Sequence, residues 1–530
     1  MQRMRTIALL VVALLTLALA ALPVGCGNNA QPDGSKLVTY VIGDATGDWG
    51  YPSPYLHYSR GPGYVRMSLV FDTLVWKDDQ GFTPALAEEW EYIEAENAYV
   101  FHLRSNAKWH DGEEFTAEDV AFTIDYVKMH PNPFVTLIGP TGVEHATVAD
   151  QYTIKLYLEQ DYAPFLNDVA ATLAILPKHI WETVEKPEEF TGAQAVIGSG
   201  PFKLVDYSKA QGSYLYEAYD EYYLGRPAVD RLKFVKISEE MIPAALKQGT
   251  IDAGQVVPEM VEGVQAAGLT AIEGTYNWNA KMTMNHKKEP LSDKRFRQAL
   301  AYAIDRESLV EVTQRGFAMA GSPGIIPPDS PWFNPSIEMY EYNPTRAQQL
   351  LTELGYELDG GLWKKNGTAL SLSLIAASDF KDVGQFIKAA LEEIGITVVF
   401  QTLEGKTVDA KVTEWDFDLS IYGHGGLYEP SILNKIITGK GFNSARYTEN
   451  ATLNDLLASQ LAEMDPTKRK ALVGQVQEVY AEDLPALTLY YPDFYWAHDG
   501  TVPLFYTEGG IASGVPIPLN KLCFMTYETK

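Results

Sequence analysis

The residues that could support catalysis are present, but not at the spacings that known catalytic motifs require. Gly405-Lys406-Thr407 ends like a phosphate-binding loop, yet Phe400 stands where the first glycine of such a loop must be. Gly198-Ser199-Gly200 is followed by Pro201, which indicates a turn and not a nucleophile elbow. The sequence has no His-Glu-x-x-His motif, and its nine histidines are scattered without ligand spacing. We therefore expect no catalytic residue, no cofactor and no enzyme activity; carboxylates far apart in sequence leave a secreted hydrolase as the alternative.

Cys26 is the residue whose position says most about where the protein works. It follows a start with two arginines, an apolar run over Ile7–Leu22, and small residues before the break. This pattern is typical of a secretory signal, and with Cys26 at the break it resembles a bacterial lipoprotein signal peptide over residues 1–25. Pro23 stands where such signals usually carry Leu. We expect a lipid anchor on Cys26 at the outer face of the cytoplasmic membrane, on its periplasmic or extracellular side; an ordinary signal peptide or a single membrane anchor is the alternative.

The composition predicts a large acidic protein outside the membrane. The chain has 530 residues, enough for about three domains' worth of core, and no later run approaches the roughly 18 apolar residues of a spanning helix. Its formal charge of −27 would become −29 without Arg3 and Arg5. Such a charge excludes nucleic acid and anionic lipid surfaces as partners. With Cys26 lipidated, Cys523 is left alone and no internal disulfide is expected.

Short strands alternate with helices along the chain, which is the signature of α/β layering. The strongest local patterns are a tether over Gly27–Lys36, a buried strand over Leu37–Ile42 and an alternating strand over Ile154–Leu158; further along come a hairpin over Trp363–Leu374 with its turn at Asn366-Gly367, an amphipathic helix over Asp379–Ile394 and a strand from Val398.

Three stretches together resemble the peptide/nickel class of bacterial extracellular solute-binding proteins, the binding subunits of ABC importers. They are Pro84–Trp90 with Tyr99–Arg104, Trp109–Gly112 and Phe115–Val120; Gly198–Leu204 with Tyr222–Pro227 and Asp230; and Asn285 with Pro290–Asp293, Phe296–Leu300 and Ala303–Arg306. The motifs themselves are structural: Thr116 is a plausible N-cap with Asp119 in the first turn, and Ser292 is expected to cap the following helix.

This resemblance implies a two-lobed periplasmic-binding-protein-like α/β fold with a hinge. The first lobe would hold 37–277 and 491–530, with an extra subdomain at 76–199, and the second lobe would hold 278–490, after a tether at 26–36. Crossing strands would lie near Lys281–Met284 and Leu487–Tyr490. A solute would bind between the lobes of a monomer, which would deliver it to a membrane permease driven by cytoplasmic ATPases. A receptor that feeds a sensor is a further alternative.

The expected ligand loop is Tyr422–Pro430 of the second lobe. In peptide binders of this class an acid in this loop pairs with the ligand's α-amine, and here Gly426 stands at that position, leaving Glu429 as the substitute. Nickel binders of the class use a histidine from this region, which makes His424, between Gly423 and Gly425, the candidate for a metal-chelate alternative. A short peptide or similar organic solute is the main prediction.

Aromatic residues give a second set of candidate contacts. Flat side chains suit peptide side chains, sugar rings or a chelator. We expect at least three of the following six to line one cavity between the lobes: Trp49, Tyr51, Trp278, Tyr428, Tyr495 and Trp496.

Overall fold

The computed structural model describes residues 37–58, 61–131, 135, 137, 142–441, 443–512 and 514–529. The predicted signal peptide, Cys26 and the tether lie outside the described residues. Among the helices that are described, every one is too short or too polar to cross a membrane.

The described part of the chain contains thirteen α-helices. They are α1 (Gly61–Ser68), α2 (Ala117–Met129), α3 (Lys178–Trp181), α4 (Ile242–Lys247), α5 (Val261–Gln265), α6 (Lys294–Ala303), α7 (Arg306–Thr313), α8 (Pro344–Glu353), α9 (Lys381–Glu393), α10 (Gly405–Glu414), α11 (Ser431–Ile437), α12 (Ala451–Ala462) and α13 (Pro466–Asp483).

Twenty-two β-strands lie in the described part of the chain. They are β1 (Thr39–Asp44), β2 (Val75–Lys77), β3 (Phe82–Pro84), β4 (Ala87–Ile93), β5 (Ala98–Leu103), β6 (Val143–Asp150), β7 (Thr153–Leu158), β8 (Phe202–Ser208), β9 (Ser213–Ala218), β10 (Arg231–Lys236), β11 (Ala253–Val256), β12 (Thr270–Glu273), β13 (Trp278–Met284), β14 (Ala318–Ala320), β15 (Glu357–Asp359), β16 (Leu362–Lys365), β17 (Thr368–Ala369), β18 (Ser371–Ala377), β19 (Thr397–Leu403), β20 (Leu419–Gly425), β21 (Ala486–Pro492) and β22 (Tyr495–His498).

Thirteen of these strands form two mixed sheets, one in each of two lobes. The first sheet has the order β12-β22-β11-β1-β10-β9-β8 and the second has the order β14-β21-β13-β20-β18-β19. In the first, β1 runs parallel to β10 and β11; in the second, β18 runs parallel to β19 and β20. We call the unit built on the first sheet the first lobe and the unit built on the second sheet the second lobe.

The chain passes between the two sheets twice, and the two passages pair with each other. One passage is 274–277, between β12 and β13, and the other is 493–494, between β21 and β22. The amide of Gly274 donates to the carbonyl oxygen of Phe494 at 2.7 Å. The predicted crossing strands at Lys281–Met284 and Leu487–Tyr490 therefore lie inside the second sheet, where they pair with each other, and the crossing itself is made by the shorter segments. The exact lobe boundaries stay a prediction.

A separate four-stranded antiparallel sheet, β4-β5-β7-β6, builds the extra subdomain of the first lobe together with α2. Its core includes the buried side chains of Trp109, Phe115 and Ile154. The predicted alternation in Ile154–Leu158 is confirmed, because Ile154, Leu156 and Leu158 are buried while their neighbours are partly exposed.

Local patterns elsewhere in the chain are mostly confirmed. The predicted helix is α9, whose apolar side is buried and which ends before Gly395 at φ +93°. The predicted hairpin is β16–β17 with its turn at Asn366-Gly367, but Leu372 and Leu374 continue into β18 of the second sheet. Thr116 and Asp119 form a capping box at α2.

The predicted cap of α6 is wrong by one residue. Asp293, not Ser292, is the N-cap, and its carboxylate accepts from the amide of Arg295 at 2.9 Å. The hydroxyl of Ser292 instead donates to Glu289 at 2.7 Å.

The C-terminal segment closes the core of the first lobe. Asn520 accepts a hydrogen bond from the indole of Trp76 at 2.9 Å, although the two residues are 444 positions apart. Lys521 and Asp72 form an ion pair with side chains 1% and 0% exposed. Cys523 lies in the same core without a disulfide partner among the described residues, and burial raises the pKa of its thiol to about 12.

Candidate functional site

The two lobes touch where the end of β20 meets a glycine-rich segment near the C-terminus. Gly426, at φ +86°, directly follows β20. Gly514 belongs to the segment 509–515, whose Ile511 packs in the core of the first lobe. A Cβ added to Gly514 would lie only 2.7 Å from the Cα of Gly426. Since real Cβ atoms do not come that close, the two backbones can approach this far only because Gly514 has no side chain, and the structure is closed at this point.

Asn277 joins the three segments that meet there. Its side chain is fully buried at the end of the 274–277 passage. The Nδ2 group donates to the carbonyl oxygen of Gly514 at 2.5 Å, and Oδ1 accepts from the amide of Tyr428 at 3.1 Å. The carbonyl oxygen of Asn277 accepts from the amide of Gly426 at 3.1 Å. One residue of the passage thus binds the first lobe and the candidate ligand loop together.

Trp278 occupies the space above Gly423 of the neighbouring strand. A Cβ added to Gly423 would lie 2.0 Å from Cζ2 of the Trp278 ring. The same ring is parallel to that of Phe380, at 6.4 Å between centroids. The structure therefore brings Trp278 and Gly423 together, and the indole can lie there because position 423 carries no side chain.

Glu429 is not a free carboxylate. It pairs with Arg469, and its Oε1 also accepts from the amide of Ser431 at 3.2 Å. Burial raises its pKa and the carboxylate of Asp168, in the first lobe, adds to that, while the guanidinium of Arg469 acts in the opposite direction. A group already paired inside the protein has little capacity left to bind a ligand's amine.

His424 is buried, and neither ring nitrogen has a hydrogen-bond partner in the part of the chain that the structure describes. Burial and the nearby Lys281 ammonium lower the pKa of the imidazole well below its usual value. Lys281 is itself buried, which lowers its pKa to about 7, and its Nζ donates to the carbonyl oxygen of Asn443 at 2.6 Å. A neutral imidazole is the form that can bind a metal, but the described residues hold no cluster of three or more His, Cys, Asp or Glu side chains suited to one.

A second contact between the lobes lies beside the subdomain. The amide of Ala163 donates to the carbonyl oxygen of Leu461 at 2.8 Å. The side chain of Leu461, at the end of α12, packs in the core of the subdomain, which includes Tyr162 and Phe165. A residue of the second lobe therefore completes the core of a first-lobe subdomain.

Lys77 and Asp168 lie on the first-lobe side near Glu429. The Lys77 ammonium donates to Asn167 Oδ1 at 2.7 Å, and burial lowers its pKa to about 8. Asp168 accepts from the hydroxyl of Tyr162 at 2.5 Å. The carboxylate of Asp168 acts to raise the pKa of Glu429, and the carboxylate of Glu429 acts to raise the pKa of Lys77. Charges from the two lobes therefore face one another across this contact.

The predicted aromatic residues are spread over both lobes. Trp49 donates from Nε1 to Asp44 at 2.7 Å, and Tyr51 donates to the carbonyl oxygen of Gly192 at 3.0 Å, both within the first lobe. Tyr495 and Trp496 are on β22 of the first sheet. Tyr428 has its amide on Asn277 and its hydroxyl on Asp329. That three of the six line one cavity stays a prediction.

Two surface cavities have linings that include none of the predicted site residues. One, of about 340 Å³, is lined by Tyr302, Ile337 and Glu482 among others. The other, of about 200 Å³, lies beside the 493–494 passage and is lined by Glu259, Phe317 and Asp493 among others.

Sequence reasoning did not single out Asn277, Gly514, Leu461 or Lys77. Asn277, Leu461 and Lys77 belong to no local sequence pattern that would mark them as functional. The run Gly509-Gly510 with Gly514 was the one available signal, because closely spaced glycines permit close backbone approach.

A family model described as bacterial extracellular solute-binding proteins, family 5 (middle), matches residues 81–433. The dipeptide-binding protein of Escherichia coli (strain K12) is 27% identical over 440 residues, which are 77% of this chain and 80% of that protein. The oligopeptide-binding protein AppA of Bacillus subtilis (strain 168) is 30% identical over 446 residues, or 78% of this chain and 79% of that one.

Solved structures of similar proteins share the fold. AppA from Bacillus subtilis in complex with a nonapeptide superposes with a TM-score of 0.74 at 25% identity, covering 90% of this chain and 98% of that chain. NikZ from Campylobacter jejuni in complex with Ni(L-His) gives a TM-score of 0.75 at 21% identity, covering 90% and 97%. The likeness extends over both lobes in each case.

Proposed function

The chain belongs to family 5 of the bacterial extracellular solute-binding proteins, and we propose that it captures a short peptide between its two lobes and delivers it to an ABC importer. Members of this family are binding subunits and work outside the cytoplasm. The peptide assignment draws on relatives named for dipeptide and oligopeptide binding, each of which matches more than three quarters of this chain.

One structural observation carries the proposal: the loop after β20 lies against Gly514 of the other lobe. A solute held at this loop would be enclosed when the lobes meet, as a pocket between two domains allows. The passages at 274–277 and 493–494 would act as the hinge, and closing would be favoured only as far as the solute prefers the closed form.

The proposed contact residues are those of the loop and the flanking aromatic side chains. The ring of Trp278 offers a flat apolar surface, and the loop offers backbone groups beside it. Because Glu429 is paired with Arg469, we propose that the peptide amine is not held by this carboxylate. The full proposed set is Trp49, Tyr51, Trp278, Gly423, His424, Gly425, Gly426, Tyr428, Glu429, Tyr495 and Trp496.

The proposed partners are a permease with cytoplasmic ATPases, and a membrane that the protein reaches through lipid on Cys26. We propose a monomer that binds one peptide per chain and catalyses no reaction. The formal charge of −27 favours solubility in water over adhesion to an anionic surface.

Native mass spectrometry of the soluble body, produced from Gly27 onward, tests the proposal. We expect a mass increase of one peptide per chain after extraction from cells, and again after stripping and incubation with a pool of synthetic di- to nonapeptides. Failure of the stripped protein to take up any peptide would rule out the peptide assignment and point to another organic solute.

A nickel chelate is the second candidate, favoured by the ring nitrogens of His424, neither of which has a hydrogen-bond partner among the described residues. The same experiment with Ni²⁺ plus histidine decides between the two. Uptake of the chelate alone, lost in His424→Ala, would move the protein to metal acquisition; uptake of peptide with no uptake of the chelate would reject the nickel candidate.

A further inference from the structure

Asn277 makes a set of hydrogen bonds that only one arrangement of the lobes can satisfy. The carbonyl oxygen of Gly514 can only accept and the amide of Tyr428 can only donate. The side-chain amide must therefore point its Nδ2 at Gly514, 2.5 Å away, and its Oδ1 at Tyr428, 3.1 Å away. An ionised carboxylate at this position would keep the acceptor for Tyr428 and lose the donor for Gly514.

The two partners belong to different lobes. Gly514 sits in the segment that packs on the first-lobe core through Ile511. Tyr428 sits in the loop that continues the second sheet, and the neighbouring Leu427 is buried in a second-lobe cluster. Any hinge opening that separates Gly514 from Gly426 also pulls Gly514 away from Asn277, since Gly426 is tied to the Asn277 carbonyl oxygen.

The tie also sets the shape of the ligand loop. The amides of Gly426 and Tyr428 both donate to Asn277, one to its backbone and one to its side chain. The loop is therefore held at two points two residues apart, with Gly426 in the left-handed region between Gly425 and Leu427. Loss of the side-chain amide would free one of these points and leave the other.

We propose that Asn277 is a positioning residue that couples lobe closure to the shape of the ligand loop. It holds the closed arrangement through Gly514 and presents the loop in its binding shape through Tyr428. The inference rests on the proposed function in so far as closure accompanies capture, but the tie itself acts without any ligand.

Two dyes that report the separation of the lobes test this coupling. The soluble body from Gly27 lacks Cys26, and the buried thiol of Cys523 has a raised pKa that protects it from labelling. Cysteines at the exposed positions Glu185, in the first lobe, and Lys470, in the second, take the dyes. Single-molecule energy transfer then gives the closed fraction without ligand, and again with the di- to nonapeptide pool.

The variant is Asn277→Asp, studied at alkaline pH, where its ionised carboxylate keeps the acceptor for Tyr428 and loses the donor for Gly514. One net hydrogen bond is worth about 1 kcal/mol, a factor of about five in an equilibrium. We expect the closed-to-open ratio without ligand to fall at least about fivefold. If the wild type binds the pool, its affinity should fall by a similar factor, mainly through faster dissociation.

Asn279 provides the matched control. It is also a fully buried asparagine, two residues further along, but its Nδ2 faces Thr488 inside the second sheet, at 3.4 Å. Asn279→Asp is expected to lower the melting temperature without moving the closed fraction. Asn277→Ser and Asn279→Ser form a second pair for the case in which an aspartate prevents folding.

The coupling is overturned if the ligand-free wild type shows no closed population, or if the 277 and 279 variants shift the closed fraction equally. Failure of the wild type to bind any peptide would reject the proposed function alone, because the ligand-free measurement would still decide the role of Asn277.

Discussion

His110 and Gly200 are joined by a hydrogen bond that links two of the sequence motifs shared with the family. The amide of Gly198 donates to Nδ1 of the imidazole at 3.3 Å, so the other nitrogen carries the proton, and Nε2 donates to the carbonyl oxygen of Gly200 at 2.9 Å. The amide of His110 in turn donates to the carbonyl oxygen of Gly198 at 2.8 Å. These motifs therefore build the joint between the subdomain and the first sheet.

Gly198→Ala should destabilise the protein by about 2 kcal/mol or more, because an added Cβ would lie 2.0 Å from the carbonyl oxygen of Val70. Urea unfolding followed by circular dichroism measures the loss. Gly405→Ala is the control, since a Cβ there meets nothing within 4 Å. Equal stability of the two variants would contradict the close approach at Gly198.

Acid should weaken the fold through His110. Burial lowers its pKa from the usual 6.5 to about 4, so between these values the unfolded chain takes up the proton first. The contribution of His110 to the unfolding free energy should therefore be constant above pH 6.5 and fall as the pH is lowered from 6.5 to 4. Below pH 4 it should not change further. Urea unfolding at several pH values gives the slope of the unfolding free energy against pH. In His110→Gln this slope should decrease by the equivalent of up to one bound proton. The exposed His145→Gln variant should keep the wild-type slope, and the same slope in both variants would argue against a neutral His110 in the folded protein.

Lys521→Met should cost about 3–5 kcal/mol, because it leaves the carboxylate of Asp72 buried without its partner. Differential scanning calorimetry gives the change in melting temperature. Lys186→Met removes an ion pair whose side chains are 66% and 67% exposed, and it should change stability by less than about 1 kcal/mol. Combining Lys521→Met with Asp72→Leu should recover much of the loss; no recovery would mean that the unpaired charge is not its cause.

Leu461→Ala should open the lobes more than it unfolds them, because this side chain leaves its own lobe to fill the subdomain core. We expect peptide binding measured by calorimetry to weaken by about tenfold, from the loss of part of a buried leucine's contribution of 2–5 kcal/mol. Leu457→Ala lies in the same helix but packs within the second lobe. Leu457→Ala should lower the melting temperature and leave the peptide affinity near that of the wild type. If Leu457→Ala weakened binding and Leu461→Ala did not, the Leu461 contact would have no part in lobe closure.

The elements that the sequence predicted best are those whose burial repeats along the chain. Helix α9 and strand β7 follow their apolar periods because each buries one side against a neighbouring layer. The cap of α6 could not be assigned the same way, since Ser292 and Asp293 are both good caps. The choice depends on Glu289, which binds the Ser292 hydroxyl, and on Arg297, which donates to the Ser292 carbonyl oxygen at 3.2 Å.

The site was harder to predict because its contacts join residues that are distant in sequence. The loop at Gly426 could be placed from its motif, but not its contact with Gly514 or with Asn277. The same holds for Glu429, whose availability to a ligand depends on Arg469, forty positions away. Long-range pairing of this kind leaves no period or spacing in the sequence.

The hydrogen bonds that Trp76 donates to Asn520 and that Lys521 donates to Asp72 also constrain the order of events during biosynthesis. Trp76, on β2, and Asp72, just before it, have their partners more than 440 positions later in the chain. A chain that leaves an export channel with its N-terminus first cannot complete the core of its first lobe until its last residues have emerged. A chain truncated shortly before Asn520 would lack both contacts and would leave the Asp72 carboxylate without its ion-pair partner in this core.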